Sequence, residues 1–272
     1  MKNKVKLIMT DLDGTLLTTD KKVSEYNKQA IKKAKEKGIL FGIATGRTLY
    51  AVERLLQEWG IEDLVDILIG MNGSQRWNYV TNTKESSDDL DTKYMIEILE
   101  RTKHLDVVSC VYKDDTREIV ADEINDQITR IAVNNHYTAV KVDMKEYLVG
   151  KKFDKFILSC NPAYMETLKK ECVSLNTENY RGFCTGEILY EFMNPIVSKS
   201  YGISKVSESL EFTIEDVLAF GDNSNDIEMI RDAGFGVCMI NGSEDAKEVA
   251  KYITKCSNDE SGLGKFIEEN LL

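Results

Sequence analysis

Two carboxylates, one residue apart, follow the first apolar run of the chain. Asp11 and Asp13 come directly after residues 5–9, a run with the length and composition of a buried strand. Such a strand brings both carboxylates to one end of a sheet, where like charges repel and each loses solvation. A divalent cation with a bound phosphate would offset this cost. An ordinary turn would explain the pair Asp13-Gly14, but it would not explain why an aspartate, Asp11, stands at the end of the strand.

A second acidic cluster follows the apolar residues 217–220. It contains four oxygen-bearing side chains within five positions: Asp222, Asn223, Asn225 and Asp226. A helix N-cap would need only one such side chain. Hard oxygen ligands at this density suit Mg²⁺, so the segment predicts a magnesium site.

Two more strand or helix ends carry polar residues that suit an anion. Thr45, Gly46 and Arg47 follow the apolar residues 39–44, where a hydroxyl and free N–H groups at a helix start can bind phosphate oxygens. Lys199 opens a predicted helix, although the helix dipole disfavours a cation there. Residues 45–47 could also form an ordinary strand-to-helix turn, and Lys199 could also be an ordinary surface lysine.

The elements that must position these residues alternate along the chain. Apolar strands at residues 5–9, 39–44 and 66–69 are separated by helical patterns at residues 24–37 and 48–59. Continuous apolar strands joined by helices indicate a parallel sheet covered on both faces. Ligands bind beyond the carboxyl ends of such strands, so we expect the polar segments to converge there.

A block of different character interrupts this pattern. Residues 81–91 are polar and acidic, and the following block mixes helices with strands until the alternation returns after Pro195. We therefore predict an α/β fold with a Rossmann-like parallel-sheet core, helices on both faces, and an inserted α+β cap domain. The predicted core comprises residues 1–82 and 187–272, and the predicted insert comprises residues 83–186.

Composition excludes several classes of protein. The net charge of −11 argues against binding a nucleic-acid backbone. The apolar runs are of strand length, so we expect no membrane span and no secretory signal, which makes the cytoplasm the default location. The six cysteines lack Cys-x-x-Cys spacing, and only two histidines are present, so disulfide, zinc and histidine-dependent chemistry are disfavoured. No Gly-x-Gly-x-x-Gly follows the first strand, which disfavours a dinucleotide-binding fold.

In order and in local context, the four polar segments resemble the four motifs of the haloacid dehalogenase superfamily of phosphatases. Further segments resemble its Cof-type subgroup, among them Met71-Asn72-Gly73, Tyr190-Glu191-Phe192 and residues 258–262. The resemblance covers both core segments. The middle block matches the C2-type cap of that subgroup mainly in size and position.

The resemblance implies a role for each motif residue. Asp11 would be the nucleophile that forms an aspartyl-phosphate, and Asp13 would be the general acid and then the general base. Mg²⁺ would be held by the Asp11 carboxylate, the Asp13 backbone carbonyl, Asp222 and Asn223. Phosphate oxygens would be bound by Thr45, Lys199, Asn225 and the backbones of Leu12 and Gly46. Asp226 would orient its neighbours from outside the metal's ligand set.

The implied substrates are small phosphorylated metabolites, sugar phosphates above all, while the identity of the metabolite and the oligomeric state stay open. A phosphomutase with the same core is the nearest alternative, because it would return the phosphoryl group to another hydroxyl. A receiver-like signalling module also phosphorylates a strand-end aspartate. Asp13 favours rapid turnover of the phosphoryl group and so argues against such a module, and the chain carries a large insert that a receiver lacks.

Overall fold

The computed structural model describes residue 1, residues 4–113 and residues 116–272. The chain forms two compact units, one made of Met1–Ser86 with Ser198–Leu272 and the other of Ser87–Val197. The second unit is thus an insert in the first, as the sequence predicts. The sequence predicts that the second core segment begins at residue 187, whereas the structure divides the chain at Ser198, because Leu189–Met193 is hydrogen-bonded within the sheet of the insert.

The regular elements alternate along the chain. The strands are β1 (Leu7–Thr10), β2 (Leu40–Ala44), β3 (Ile67–Gly70), β4 (Gln75–Asn78), β5 (Thr83–Ser86), β6 (Val108–Lys113), β7 (Glu118–Ala121), β8 (Thr138–Lys141), β9 (Lys155–Ser159), β10 (Arg181–Cys184), β11 (Leu189–Met193), β12 (Val217–Gly221), β13 (Phe235–Cys238) and β14 (Tyr252–Ile253). The α-helices are α1 (Glu25–Glu36), α2 (Leu49–Trp59), α3 (Thr92–Thr102), α4 (Asp126–Asn135), α5 (Met144–Leu148), α6 (Met165–Val173), α7 (Lys199–Ser209), α8 (Ile227–Asp232), α9 (Glu244–Val249) and α10 (Gly262–Asn270).

The first unit is built on an eight-stranded sheet in the order β14-β13-β12-β1-β2-β3-β4-β5. The strands from β14 to β3 are parallel, and β4 and β5 are antiparallel to their neighbours. Successive β1 residues face opposite sides: Ile8 packs in a cluster with residues of α1, α2 and α10, and Leu7 in one with residues of α7 and α8. Both faces are therefore covered by helices, which confirms the predicted α/β core.

The edge strand β5 was not predicted, because its four residues are all exposed and its segment reads as a polar boundary. In the structure, β3, β4 and β5 form an antiparallel meander at this edge of the sheet. The core sheet therefore extends to Ser86, four residues beyond the predicted end of the first core segment at residue 82.

The insert has its own six-stranded sheet in the order β10-β11-β9-β6-β7-β8. Its strands pair antiparallel, apart from the parallel pair β7 and β8. Buried residues of α3, α5 and α6 cluster with Phe156, Leu158 and Phe192 from the central strands. This arrangement confirms the α+β insert, although the sequence did not predict β8 or α5.

Among the described residues, no helix combines the length and the apolarity that crossing a bilayer requires. The cytoplasmic location and the lack of a nucleic-acid partner stay predictions from composition.

Candidate active site

Three of the predicted site residues follow three neighbouring parallel strands, at the carboxyl ends of those strands. Asp11 follows β1, Thr45 follows β2, and Asp222 follows β12, and β1 lies between the other two strands. The Asp11 N–H donates to the Phe220 carbonyl at 2.9 Å, so the sheet ladder continues one residue beyond β1. The carboxylate of Asp11 is therefore held on a rigid element.

A buried lysine joins two of the predicted aspartates. Lys199 Nζ donates to Asp11 Oδ1 at 2.5 Å and to Asp226 Oδ1 at 2.6 Å. The lysine has no exposed surface, and it begins α7 directly after the N-cap residue Ser198. One carboxylate oxygen each of Asp11, Asp222 and Asp226 lies within 4.8 Å of the other two. We call these three carboxylates the acidic cluster.

The acidic cluster holds more negative charge than Lys199 neutralises. Burial raises the pKa of Asp11 well above its usual value, the charges of Asp226 and Asp222 raise it further, and Lys199 only partly opposes this. Burial and the charge of Asp226 likewise raise the pKa of Asp222 to about 7. Burial disfavours the charged lysine, but Asp11 and Asp226 outweigh it and raise the pKa of Lys199. Three carboxylates around one ammonium leave a deficit of positive charge that suits a divalent cation.

The three aspartates of the acidic cluster differ in how many hydrogen bonds they accept. Asp226 Oδ1 accepts from Lys199, and Asp226 Oδ2 accepts from the N–H groups of Asp222 at 3.0 Å and Asn223 at 3.1 Å. Both oxygens of Asp226 are thus engaged in orienting neighbours. The side chains of Asp11 and Asp222 each accept fewer hydrogen bonds than that of Asp226, and hard carboxylate oxygens fit Mg²⁺.

Asp222 is fixed by the loop that follows Asp11. Thr15 Oγ1 donates to Asp222 Oδ1 at 2.5 Å. Gly14 has a φ of 87°, and a Cβ built on it would overlap the Asp222 carboxylate. Only glycine permits this close approach between the two strand ends.

The Asp13 side chain lies in a different environment from the acidic cluster. It is partly exposed and accepts from Arg47 Nη2 at 2.9 Å and from Lys21 Nζ at 2.6 Å. Burial by itself would raise the pKa of Asp13, but the charge of Arg47 and the bond from Lys21 hold it below its usual value. The structure therefore separates the two aspartates of the first motif, one buried beside Lys199 and one paired with cations.

Of the residues predicted to bind phosphate, Thr45 and Gly46 lie at the end of β2 beside the turn that follows β3. The Thr45 carbonyl accepts from the Asn72 N–H at 2.9 Å, and a Cβ on Gly46 would lie 3.2 Å from Asn72 Oδ1. Leu12 is buried between the two aspartates of the first motif.

The loop after β12 carries the remaining two predicted residues. The Asn223 side chain is exposed, and its Oδ1 accepts from the Ser224 N–H at 2.8 Å as a cap of the 3₁₀ turn Ser224–Asp226. Its backbone N–H, rather than its side chain, meets the acidic cluster. Asn225 is partly buried in the same turn.

Sequence reasoning missed Thr15 and Lys21 and left Arg47 unassigned. Lys21 reaches Asp13 because it has a left-handed φ of 59°, and because the indole N–H of Trp59 donates to its carbonyl at 3.0 Å. Nothing in the local sequence signals that contact. Arg47 could have been found, since it follows Thr45 and Gly46 at a strand end.

Comparison with known proteins agrees with this geometry. The family model described as haloacid dehalogenase-like hydrolase matches residues 8–267. The 5-amino-6-(5-phospho-D-ribitylamino)uracil phosphatase YcsE of Bacillus subtilis is 31% identical, with 98% of this chain and 96% of that protein covered. The phosphatase YitU of B. subtilis, named for the same substrate, is 27% identical over 99% of this chain and 98% of its own length.

Solved structures share the fold. A haloacid dehalogenase-like hydrolase from Bacteroides thetaiotaomicron superposes with a TM-score of 0.81 at 26% identity, covering 98% of this chain and 99% of its own. The sugar phosphatase BT4131 of subclass IIB superposes with a TM-score of 0.81 at 21% identity, covering 97% of this chain and 98% of its own. The protein is a phosphoric monoester hydrolase with an inserted cap domain. The chain belongs to the family of haloacid dehalogenase-like hydrolases.

Proposed function

We propose that the protein is a Mg²⁺-dependent phosphatase of small phosphorylated metabolites that works through an aspartyl-phosphate at Asp11. The observation that carries the proposal is the acidic cluster with Lys199 buried between Asp11 and Asp226. A nucleophilic carboxylate needs fixed positive charge nearby, because it must approach a phosphate dianion.

The acidic cluster fits a resident Mg²⁺ by the chemistry of its donors. Asp11 and Asp222 would hold the ion with their carboxylates, together with the Asp13 backbone carbonyl. The side-chain oxygen of Asn223, the fourth predicted ligand, caps the turn after β12 instead. When bound, Mg²⁺ supplies the positive charge that lets the phosphate dianion and the Asp11 carboxylate come together.

The chain's own residues then divide the reaction into two steps. Asp11 attacks phosphorus through a carboxylate oxygen, and the bond to the leaving alcohol breaks as Asp13 gives that oxygen a proton. Asp13 then takes a proton from water, the water oxygen attacks phosphorus, and the bond to Asp11 breaks to release inorganic phosphate and the free carboxylate. Lys199 stays bonded to Asp11, which fixes the orientation of the nucleophile.

Phosphate oxygens would be bound by Lys199, by the Thr45 hydroxyl, by the N–H groups of Leu12 and Gly46, and by the Asn225 side chain. Thr45 is almost fully buried, so its hydroxyl sits in a fixed position at the edge of the sheet. Arg47 and Lys21 both hold the carboxylate of Asp13. These groups would orient Asp13 toward the leaving oxygen.

The names of three relatives support a proposal for the substrate class. Three B. subtilis relatives, at 31%, 27% and 26% identity, are named as phosphatases of 5-amino-6-(5-phospho-D-ribitylamino)uracil. That compound carries its phosphate on an open sugar-alcohol chain. We therefore propose sugar and sugar-alcohol phosphates as the substrates of this protein.

A screen of phosphorylated metabolites tests the proposal. Wild-type protein should release phosphate from sugar or sugar-alcohol phosphates with MgCl₂ and not with EDTA, and beryllium fluoride should inhibit it by mimicking the phosphorylated aspartate. Asp11→Asn should lose activity by several orders of magnitude, as for other covalent catalysts. Asp66→Asn is the matched control, because Asp66 precedes β3 at the opposite edge of the same sheet. Turnover by Asp11→Asn near the wild-type rate would refute the nucleophile, and formation of a phosphorylated isomer without free phosphate would indicate the phosphomutase.

A further inference from the structure

Residues near the C-terminus hold the segment that carries Asp13. Residues 13–19 lie outside the helices and longer strands, yet three side chains more than 220 positions away bind them. Asn241 Nδ2 donates to the Gly14 carbonyl at 2.8 Å, and Asn258 Nδ2 donates to the Leu17 carbonyl at 2.9 Å. Asp259 accepts from the Thr19 N–H at 2.7 Å and from its hydroxyl at 2.8 Å. We call Asn241, Asn258 and Asp259 the C-terminal clamp.

The members of the clamp are tied to one another and to the site. The Asn258 N–H donates to Asn241 Oδ1 at 3.0 Å, and Asn258 is only 8% exposed. Two residues after Asn241, the Ser243 N–H donates to the Asp222 carbonyl at 2.8 Å. The loop after β13 therefore binds the backbone that follows β1 and the backbone that follows β12.

The clamp binds next to the contact between the ends of β1 and β12. Gly14 accepts from Asn241 through its carbonyl, and a Cβ built on Gly14 would overlap the carboxylate of Asp222. A shift of Gly14 must therefore move Asp222 on one side and Asp13 on the other. Misplacement of a reacting group by about 1 Å can reduce a rate about 100-fold.

We propose that Asn241, Asn258 and Asp259 are positioning residues for phosphate transfer, which fix the Asp13–Gly14 backbone against Asp222. The inference rests on the proposed function and deepens it. None of the three residues belongs to the acidic cluster, and each acts through the backbone of residues 14–19. Loss of the clamp should thus reduce the rate of reaction and the affinity for Mg²⁺ without preventing folding.

Asn258→Ala tests the clamp against the matched control Asn270→Ala. Asn270 Nδ2 donates to the Phe266 carbonyl at 2.9 Å, so the control deletes the same kind of bond within α10. In Asn258→Ala we expect kcat to fall about 10-fold or more with KM within about threefold, since orientation is lost while binding groups remain. The dissociation constant of Mg²⁺, measured by calorimetry, should rise, and amide exchange in residues 14–19 should become faster. Asn270→Ala should leave all four quantities at the wild-type values.

Two substitutions of Asp259, one conservative and one not, test its role in the clamp. Asp259→Ala removes both bonds to Thr19, whereas an amide at that position can accept from the Thr19 N–H and donate to its hydroxyl. Asp259→Asn should therefore keep most of the activity that Asp259→Ala loses. Equal losses in the two variants would overturn the assignment of Asp259.

The readouts separate failure of the clamp from failure of the proposed function. Faster exchange in Asn258→Ala with unchanged kcat and Mg²⁺ affinity would show that the clamp does not position the site. A lower kcat without faster exchange would equally overturn the proposal. If the wild-type protein shows no Mg²⁺-dependent phosphatase activity, the proposed function fails, and the exchange and calorimetry results still decide whether the clamp orders a metal site.

Discussion

Replacement of Lys199 by methionine removes the positive charge within the acidic cluster while keeping most of the side-chain volume. Asp11 and Asp226 would each lose a charged hydrogen-bond donor, at 2.5 Å and 2.6 Å respectively. Removal of one partner from a buried ion pair costs about 3–5 kcal/mol, because the other charge is left uncompensated. We therefore expect the free energy of unfolding of Lys199→Met, measured by urea titration in EDTA near neutral pH, to fall by about that amount.

The loss of stability should depend on pH in a defined direction. Burial and neighbouring charges already raise the pKa of Asp11, and loss of Lys199 raises it further. Between the ordinary pKa of an aspartate, about 4, and this raised value, the folded protein binds more protons than the unfolded chain. The free energy of unfolding of the variant thus falls as pH rises through this window, and the difference from wild type should narrow on acidification.

The same substitution should also slow catalysis. Removal of one preorganised donor from a transition state typically reduces kcat by about 10²–10³, and Lys199 also orients the nucleophile. Lys35→Met is the matched control, because Lys35 Nζ binds Asp66 at 2.5 Å where Asp66 precedes β3, at the opposite edge of the sheet. This reasoning would be refuted if Lys199→Met kept the wild-type kcat and its free energy of unfolding fell by less than about 1 kcal/mol, which is the contribution of a surface ion pair.

Three further predictions follow from the same geometry. Gly14→Ala should weaken Mg²⁺ binding in calorimetry, because its Cβ would overlap the Asp222 carboxylate; unchanged affinity would contradict the close approach. In EDTA the free energy of unfolding should fall as pH rises from about 4 to about 7, because burial raises the pKa of Asp222 to about 7. MgCl₂ should accordingly raise Tm more at about pH 8 than at about pH 5, and a pH-independent increase would argue against binding at these carboxylates. Lys21→Ala removes a cation that holds the pKa of Asp13 below its usual value, so the pH at which hydrolysis of alkyl phosphates declines through ionisation of Asp13 should move upward; p-nitrophenyl phosphate, whose good leaving group needs little protonation, should show no such shift, and unchanged pH profiles for both would indicate a structural role.

The parts of the fold and site that could be predicted from the sequence are those encoded locally. Asp11 and Asp222 follow apolar runs that have few interpretations besides buried strands, and parallel neighbours end at the same edge. Two helix ends are also encoded by single residues: Ser24 caps α1 by accepting from the Asn27 N–H, and Gly60 ends α2 with a left-handed φ of 62°. A serine hydroxyl suits an N-cap and a glycine suits a left-handed φ, so these residue types alone indicate where the helices begin or end.

The parts that could not be predicted depend on distant partners or on exposed edges. The strand β5 has no buried residue, so no hydrophobic period marks it. The predicted core range of residues 187–272 includes β11, whereas the pairing of β11 with β9 and β10 is visible only in the folded chain. Asn258 binds Leu17 from 241 positions away, and a single sequence contains no signal for that distance.

The two aspartates in the loop after β12 have different surroundings and therefore different roles. Asp222 and Asp226 are both close to Asp11, and sequence alone offers the same carboxylate twice. Asp226 is the more buried of the two, and it accepts three hydrogen bonds, one from Lys199 and two from backbone N–H groups. Asp222 accepts a single hydroxyl, and burial raises its pKa to about 7, so its negative charge is the one left uncompensated. A cation drawn to this edge of the sheet would therefore bind Asp222 and Asp11, while Asp226 holds Lys199 and the loop in place around them.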